Sequence, residues 1–349
     1  MKAITIQPKR PDSARLEEVP EPPLRDGSVL VEAIAVGVCG TDVEMVEGKY
    51  GWAPPGNTRL VLGHESLGRV LDPGQSAMLK KGDLVAGIVR RPDPVPCSNC
   101  AVGEWDMCRN GQYTERGIKQ LDGYMSARWR IEPEYATRVD PSLGLLGVLL
   151  EPATVVAKAW EQVARVGQRA YWEPQIALVT GAGPIGLLAA LLGRQHGLEV
   201  HVLDRAESGP KPELVRALGA TYHSGTIADV GVEPDVVIEC TGAGQLIRDA
   251  LQAIGAGGVV CLTGVGSGGP ASGFNTADVA AELVLQNIVV LGTVNANRRH
   301  WYKAAAALAR TDRAWLARLI TRRERPESFA QALARREDDI KVVIQFSDA

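Results

Sequence analysis

The sequence predicts an α/β protein in two parts: a β-rich first domain, then a domain built on a doubly wound parallel sheet. Three observations lead there. Short β-type runs punctuated by Gly and Pro fill the first half, strand and helix patterns alternate from about residue 155 onward, and Gly181-Ala-Gly-Pro-Ile-Gly186 stands between a strand pattern and a helix pattern.

The chain opens on a strand pattern, Met1-Lys-Ala-Ile-Thr-Ile6, with no apolar leader core. Runs at 30–36, 67–71 and 84–89 read as strands because β-branched and apolar residues cluster between turn formers. The pattern turns helical over 155–166. It then alternates: strand 176–180, helix from Pro184, strand 199–203, helix near Glu213, and strands 236–240, 259–262 and 288–294. Such alternation implies parallel strands joined by right-handed crossovers. The tail carries a helical stretch at 301–308 and a strand at 340–346 that is expected to fold back onto the first domain. The expected division is therefore 1–165 with 300–349, and 166–299. Residues 264–273 read as a glycine-rich loop.

Composition narrows the function. With 349 residues and 45% hydrophobic content, the chain buries sizeable cores. A net charge of −3, from 38 basic and 41 acidic residues, gives nucleic acid or an anionic membrane nothing to hold, so a small-molecule substrate is expected. No run is read as reaching the ~20 apolar residues of a membrane span, and the expected compartment is the cytoplasm. Six cysteines do not make a disulfide scaffold in a chain this long, and three of them, Cys97, Cys100 and Cys108, crowd together as metal ligands do.

The glycine turn carries the sharpest chemistry. Gly181 permits a tight turn, Gly183 lets a pyrophosphate approach the backbone, Gly186 permits close helix packing, and the helix start offers free N–H groups. That is a dinucleotide site. The following strand ends at Asp204 and Arg205; an acid there accepts ribose hydroxyls and repels a 2′-phosphate, which favours NAD, while the guanidinium beside it keeps NADP as an alternative. Upstream, Cys39, His64 and Glu151 supply the thiolate, imidazole and carboxylate that a catalytic zinc accepts with one position open.

The whole chain resembles the zinc-dependent medium-chain dehydrogenase/reductase superfamily, and within it the archaeal-type glucose 1-dehydrogenases. The resemblance rests on Gly-Val-Cys39-Gly-Thr41-Asp42-x-Glu44, Leu-Gly-His64-Glu65, Val89-Arg-Arg-Pro92, Glu115-Arg-Gly-Ile118, Asp122-Gly-Tyr-Met-Ser126, Glu151-Pro and Val294-Asn295. It implies a chaperonin-10-like catalytic domain followed by a Rossmann domain. It also implies oxidation of D-glucose, and of related aldoses, at C1 to the lactone, with hydride passing to NAD(P). By resemblance, Cys39, His64, Glu65 and Glu151 are ligands of a catalytic Zn2+, with Glu65 alternating with water or substrate. Thr41 then relays the substrate proton, and Asp42 orients His64. Thr41, Glu115, Glu151 and Asn295 are implied to contact sugar; Gly181, Gly183, Pro184, Ile185, Gly186, Asp204, Arg205, Thr293 and Asn295 to contact the cofactor. A homodimer or homotetramer is the family habit.

The chain also departs from its relatives. Many have four cysteines in a lobe that binds structural zinc, whereas here Pro94 takes the first place and Asp93 is the nearest oxygen donor beside Cys97, Cys100 and Cys108. NADP-preferring relatives tend to show Asn-Arg-Arg where this chain has Asp204-Arg205-Ala206. The alternatives are an alcohol or polyol dehydrogenase on the same machinery, a zinc-free quinone reductase, and a non-catalytic NAD(H)-binding protein. The intact ligand types argue against the last two. His196, His201, His223 and His300 are read as structural or surface residues.

Overall fold

The structure, a computed structural model, describes residues 1–266 and 275–348, so the glycine-rich loop expected at 264–273 lies outside the described residues from 267 on. The chain forms two compact units, Met1–Glu151 with Asn295–Ala349, and Pro152–Val294. The first crossing falls in the opening turn of a helix, earlier than the 165/166 division read from the sequence.

In chain order the elements up to that crossing are β1 (Lys2–Ile6), β2 (Arg15–Glu18), β3 (Val29–Val38), α1 (Gly40–Val46), β4 (Leu60–Val61), β5 (Glu65–Asp72), β6 (Leu84–Gly87), β7 (Arg90–Arg91), α2 (Ser98–Ala101), β8 (Thr114–Arg116), β9 (Gln120–Leu121), β10 (Arg128–Ile131) and β11 (Ala136–Arg138). Then follow α3 (Leu150–Gly167), β12 (Ile176–Thr180), α4 (Pro184–Gln195), β13 (Glu199–Leu203), α5 (Pro210–Ala217), β14 (Thr221–His223), β15 (Val236–Glu239), α6 (Gly244–Ala253), β16 (Val259–Leu262), α7 (Thr276–Leu285) and β17 (Val289–Gly292). The tail holds α8 (Arg298–Ala309), α9 (Arg313–Leu319), β18 (Ile320–Glu324), α10 (Phe329–Leu333) and β19 (Lys341–Gln345).

In the first unit, β3 is the organising strand. Its ten residues carry Val, Leu, Ile and Ala almost without interruption, and it pairs with β5 on one side and with β10 and β19 on the other. The resulting sheet runs β11-β6-β5-β3-β19-β18 with β10 added against β3. The tail thus returns to the first unit, where Val342 to Gln345 lie opposite Val38 to Ala35. Two smaller sheets, β2-β1-β4 and β7-β8-β9, complete the β structure of this unit among the described residues.

The second unit is a six-stranded sheet in the order β14-β13-β12-β15-β16-β17, parallel throughout. Its strands read Ile-Ala-Leu-Val-Thr, Val-Val-Ile-Glu and Val-Val-Cys-Leu, the near-continuous apolar runs that a sheet covered on both faces requires. The order reverses between β12 and β15, which makes the carboxyl ends of these two strands, beside the glycine turn, the topological switch point of the sheet.

One sequence expectation is corrected here. The helical run Pro141–Gly167, 27 residues with a window of mean hydropathy 1.4, is long and apolar enough to cross a membrane by length and composition. Yet 72% of that window is buried within the fold, and Gly144 breaks the helix with φ 49° and ψ −130°. Its apolar residues are core: Leu149, Ala153, Val156, Ala159 and Val163 are each at most 2% exposed.

Candidate active site

The first cluster forms where β3 ends. Cys39 caps α1, and its backbone N–H donates to Asp42 Oδ2 at 2.8 Å, which turns the Asp42 carboxyl inward to full burial. Asp42 Oδ1 then lies 3.6 Å from His64 Nδ1, leaving the ring's other nitrogen to face away. The Cys39, His64 and Glu65 ligand atoms lie within 4.8 Å of one another. Burial opposes a charge on His64, but Asp42 and Cys39 outweigh it, and the imidazole pKa stands well above its ordinary value. The cluster therefore favours a cation. Thr41 Oγ1 is 4.0 Å from Cys39 Sγ, on the same first turn of α1.

Glu65 opens β5 directly opposite Gly37 of β3, and a Cβ on Gly37 would stand 2.0 Å from Glu65 Oε2. Only a glycine leaves that slot. Both Glu65 oxygens accept from Lys341 Nζ, at 2.7 and 2.6 Å, and the same ammonium donates to Val38 O at 3.2 Å. Lys341 is 1% exposed; burial opposes its charge, and Glu65 and Cys39 raise its pKa regardless. Sequence reading gave Lys341 no role, although a lysine inside the apolar run Ile340 to Ile344 was the available signal. Glu151, in the first turn of α3, is buried and pushed up to about 7, first by burial and then by Glu65 and Asp42, with His64 and Lys341 opposing. It feels the cluster's charges, yet its carboxyl is not among the three groups gathered within 4.8 Å.

A second group forms on β8. Glu115 Oε1 accepts from Arg90 Nε at 3.0 Å and from Asn295 Nδ2 at 2.8 Å, and Arg90 stacks 3.7 Å above the Tyr113 ring. Asn295 holds a positive φ of 62°, a conformation Asn tolerates, and its Oδ1 accepts from Ala296 N–H at 2.8 Å. Two of the four residues expected to touch sugar, Glu115 and Asn295, are thus brought together, and Arg90, to which the sequence assigned no role, orients Glu115.

In the second unit the glycine turn has the expected geometry. Gly181 holds φ 89°, a Cβ on Gly186 would stand 1.7 Å from Gly181 O, and a Cβ on Gly183 would meet nothing within 4 Å. Pro184 is the first residue of α4, followed by Ile185, so the helix N–H groups point to that open space. Asp204 Oδ2 accepts from Ala182 N–H at 2.6 Å and Oδ1 from Ala206 N–H at 3.1 Å. Arg205 is exposed. Thr293 follows β17, and its buried hydroxyl has no hydrogen-bond partner among the described residues.

In the lobe, the thiols of Cys97, Cys100 and Cys108 gather within 4.8 Å. The N–H of Arg109, 3.3 Å from Cys97 Sγ, draws that thiol's pKa down to about 6, while burial pushes Cys100 up to about 11. Asp93 does not join the set: its Oδ1 accepts from Val95 N–H at 2.8 Å, and its buried Oδ2 has no partner among the described residues.

Comparison with known proteins places these sites in context. Residues 25–140 match the family described as alcohol dehydrogenase GroES-like domain, and residues 144–346 match the glucose dehydrogenase C-terminus. The chain is 38% identical to the glucose 1-dehydrogenase of Methanocella arvoryzae and 39% identical to glucose 1-dehydrogenase 2 of Vulcanisaeta moutnovskia, each over 99% of both chains. The structure of Haloferax mediterranei glucose dehydrogenase in complex with NADP, Zn and gluconolactone superposes with a TM-score of 0.91 at 32% identity, covering all of both chains.

Proposed function

Given that this chain belongs to the zinc-dependent medium-chain dehydrogenase/reductase superfamily, close to the glucose 1-dehydrogenases, we infer that it oxidises D-glucose at C1 to the lactone and passes hydride to a nicotinamide cofactor. The observation that carries this reading is the cluster of half-buried Cys39 with buried His64 and Glu65, whose charges favour a cation. Thiolate, imidazole and carboxylate fit zinc, and Asp42 Oδ1 stands 3.6 Å behind His64 Nδ1, placed to orient the ring once it closes to hydrogen-bond distance. Zinc held there supplies a Lewis acid that lowers a hydroxyl's pKa, roughly from 16 to 7 for water.

The chain's own residues do the rest. Cys39, His64 and Glu65 hold the metal, with Glu151 as a fourth donor or the acceptor that orients water. Glu115 and Asn295 bind sugar hydroxyls: Glu115 has its second oxygen for a sugar donor, since Arg90 and Asn295 both use Oε1. Thr41 passes the C1 hydroxyl proton onward, and the hydride leaves C1 with its electron pair, so each turnover yields lactone, reduced cofactor and one proton. The first unit is the catalytic domain and the second the dinucleotide domain, with Gly181, Gly183, Pro184, Ile185, Gly186, Asp204, Arg205, Thr293 and Asn295 at the cofactor. Asp204 supports a preference for NAD.

The lobe thiols support a structural zinc with Asp93 or water as fourth donor. All six cysteines are free thiols, which suits a cytoplasmic enzyme. β17 has a strand on one side only among the described residues, and Val284 and Leu285 nearby are 75% and 80% exposed, which supports pairing of two copies along this edge.

The test is the initial rate of NAD and NADP reduction with D-glucose, before and after chelation. Chelator-sensitive turnover is expected; turnover on alcohols or polyols but not on aldoses would overturn the sugar assignment.

A further inference from the structure

Asp204, the acid that would meet the adenosine ribose, does not stand alone. Lys211 Nζ, from the first turn of α5, lies 3.6 Å from Asp204 Oδ1, with the lysine side chain 20% and the aspartate 15% exposed. Arg205, next in sequence, is exposed and makes no hydrogen bond or ion pair among the described residues. One anion thus shares this corner with two cations. The loop between them is fixed, because Ala182 and Ala206 N–H both donate to Asp204 and the Tyr222 hydroxyl donates to Ala206 O.

An aspartate facing the ribose with no counter-charge accepts its hydroxyls and repels a 2′-phosphate. A lysine close enough to neutralise that aspartate removes the repulsion. Its ammonium is a point charge on a flexible stem, so it turns from a carboxylate to a phosphate without moving the backbone.

We propose that Lys211 decides cofactor choice in this chain: it is the counter-ion of Asp204 when the ribose carries a 2′-hydroxyl, and with Arg205 it holds the phosphate when the ribose carries one. The site then takes both NAD and NADP, and Asp204 alone does not make it NAD-specific. This rests on reading the second unit as the dinucleotide domain.

The experiment measures binding of 5′-AMP and 2′,5′-ADP to the zinc-loaded protein by calorimetry, beside KM for NAD and NADP. The wild type is expected to bind both nucleotides. Lys211→Ala should shift the ratio of the two dissociation constants by about tenfold against 2′,5′-ADP, and Lys211→Arg should restore it, because the contact is electrostatic and partly exposed. The KM ratio should move the same way. An unchanged ratio in Lys211→Ala would overturn the proposal, as would a wild type that binds 5′-AMP but not 2′,5′-ADP, the dinucleotide reading surviving in both cases. Failure of both nucleotides to bind the wild type would overturn the two together.

Discussion

At the scale of single residues, Glu151 shows how an environment assigns chemistry to an ordinary carboxyl. Burial and two neighbouring acids hold its pKa near 7, above the ordinary 4.5, so the folded chain prefers it protonated. The sign follows: the stability that preference contributes is full below about pH 4.5 and is lost as pH rises to about 7. In chelator-treated protein, Glu151→Gln should therefore gain stability relative to wild type across that window, by about 3 kcal/mol once wild-type Glu151 is ionised, at about 1.4 kcal/mol per pH unit. Denaturation midpoints at several pH values check it; a difference independent of pH would remove Glu151 from the charge cluster. The residues of this cluster were legible by type in the sequence. Lys341 was visible only as a lysine inside an apolar run, because nothing in Ile340 to Ile344 says which strand, or which carboxylate, it will face.

At the scale of elements, the glycine turn separates a requirement of folding from a requirement of binding. A Cβ on Gly186 collides with Gly181 O, whereas a Cβ on Gly183, whose φ of −77° suits any residue, enters open space. Gly186→Ala should destabilise the second unit by several kcal/mol, as overpacking does. Gly183→Ala should leave the melting temperature nearly unchanged and weaken NAD(H) binding by about tenfold or more, since the backbone can no longer approach the pyrophosphate. Thermal melts and cofactor fluorescence titration distinguish the two; equal melts would mean that the packing role of Gly186 is misread. The turn, β12 and β13 were readable because local pattern specifies them. Strands of two residues, such as Leu60–Val61 and Arg90–Arg91, escaped because a period cannot show itself in so short a run.

At the scale of the molecule, the chain completes its first unit only after building its second, and the sequence hinted at this through the strand pattern of its tail. The exposed side of β17 bears on assembly: the N–H groups of Val289 and Thr293 donate to Gly258 O and Leu262 O of the β16 side, so Val290 turns its own N–H to the open edge, and Val290→Pro should spare the β16 ladder while lowering the oligomeric mass seen by light scattering. A variant that stays folded at the wild-type mass would place the contact elsewhere. The long return of the tail also bears on how the protein is made. Glu65 and Lys341 are separated by 276 residues, so on a ribosome adding about 5–20 residues per second the carboxylate waits roughly 14–55 seconds for its lysine. During that interval the counter-charge that Glu65 meets in the folded chain is still unmade, so the pair of Glu65 with Lys341 and the pairing of β19 with β3 can form only once translation has passed β19.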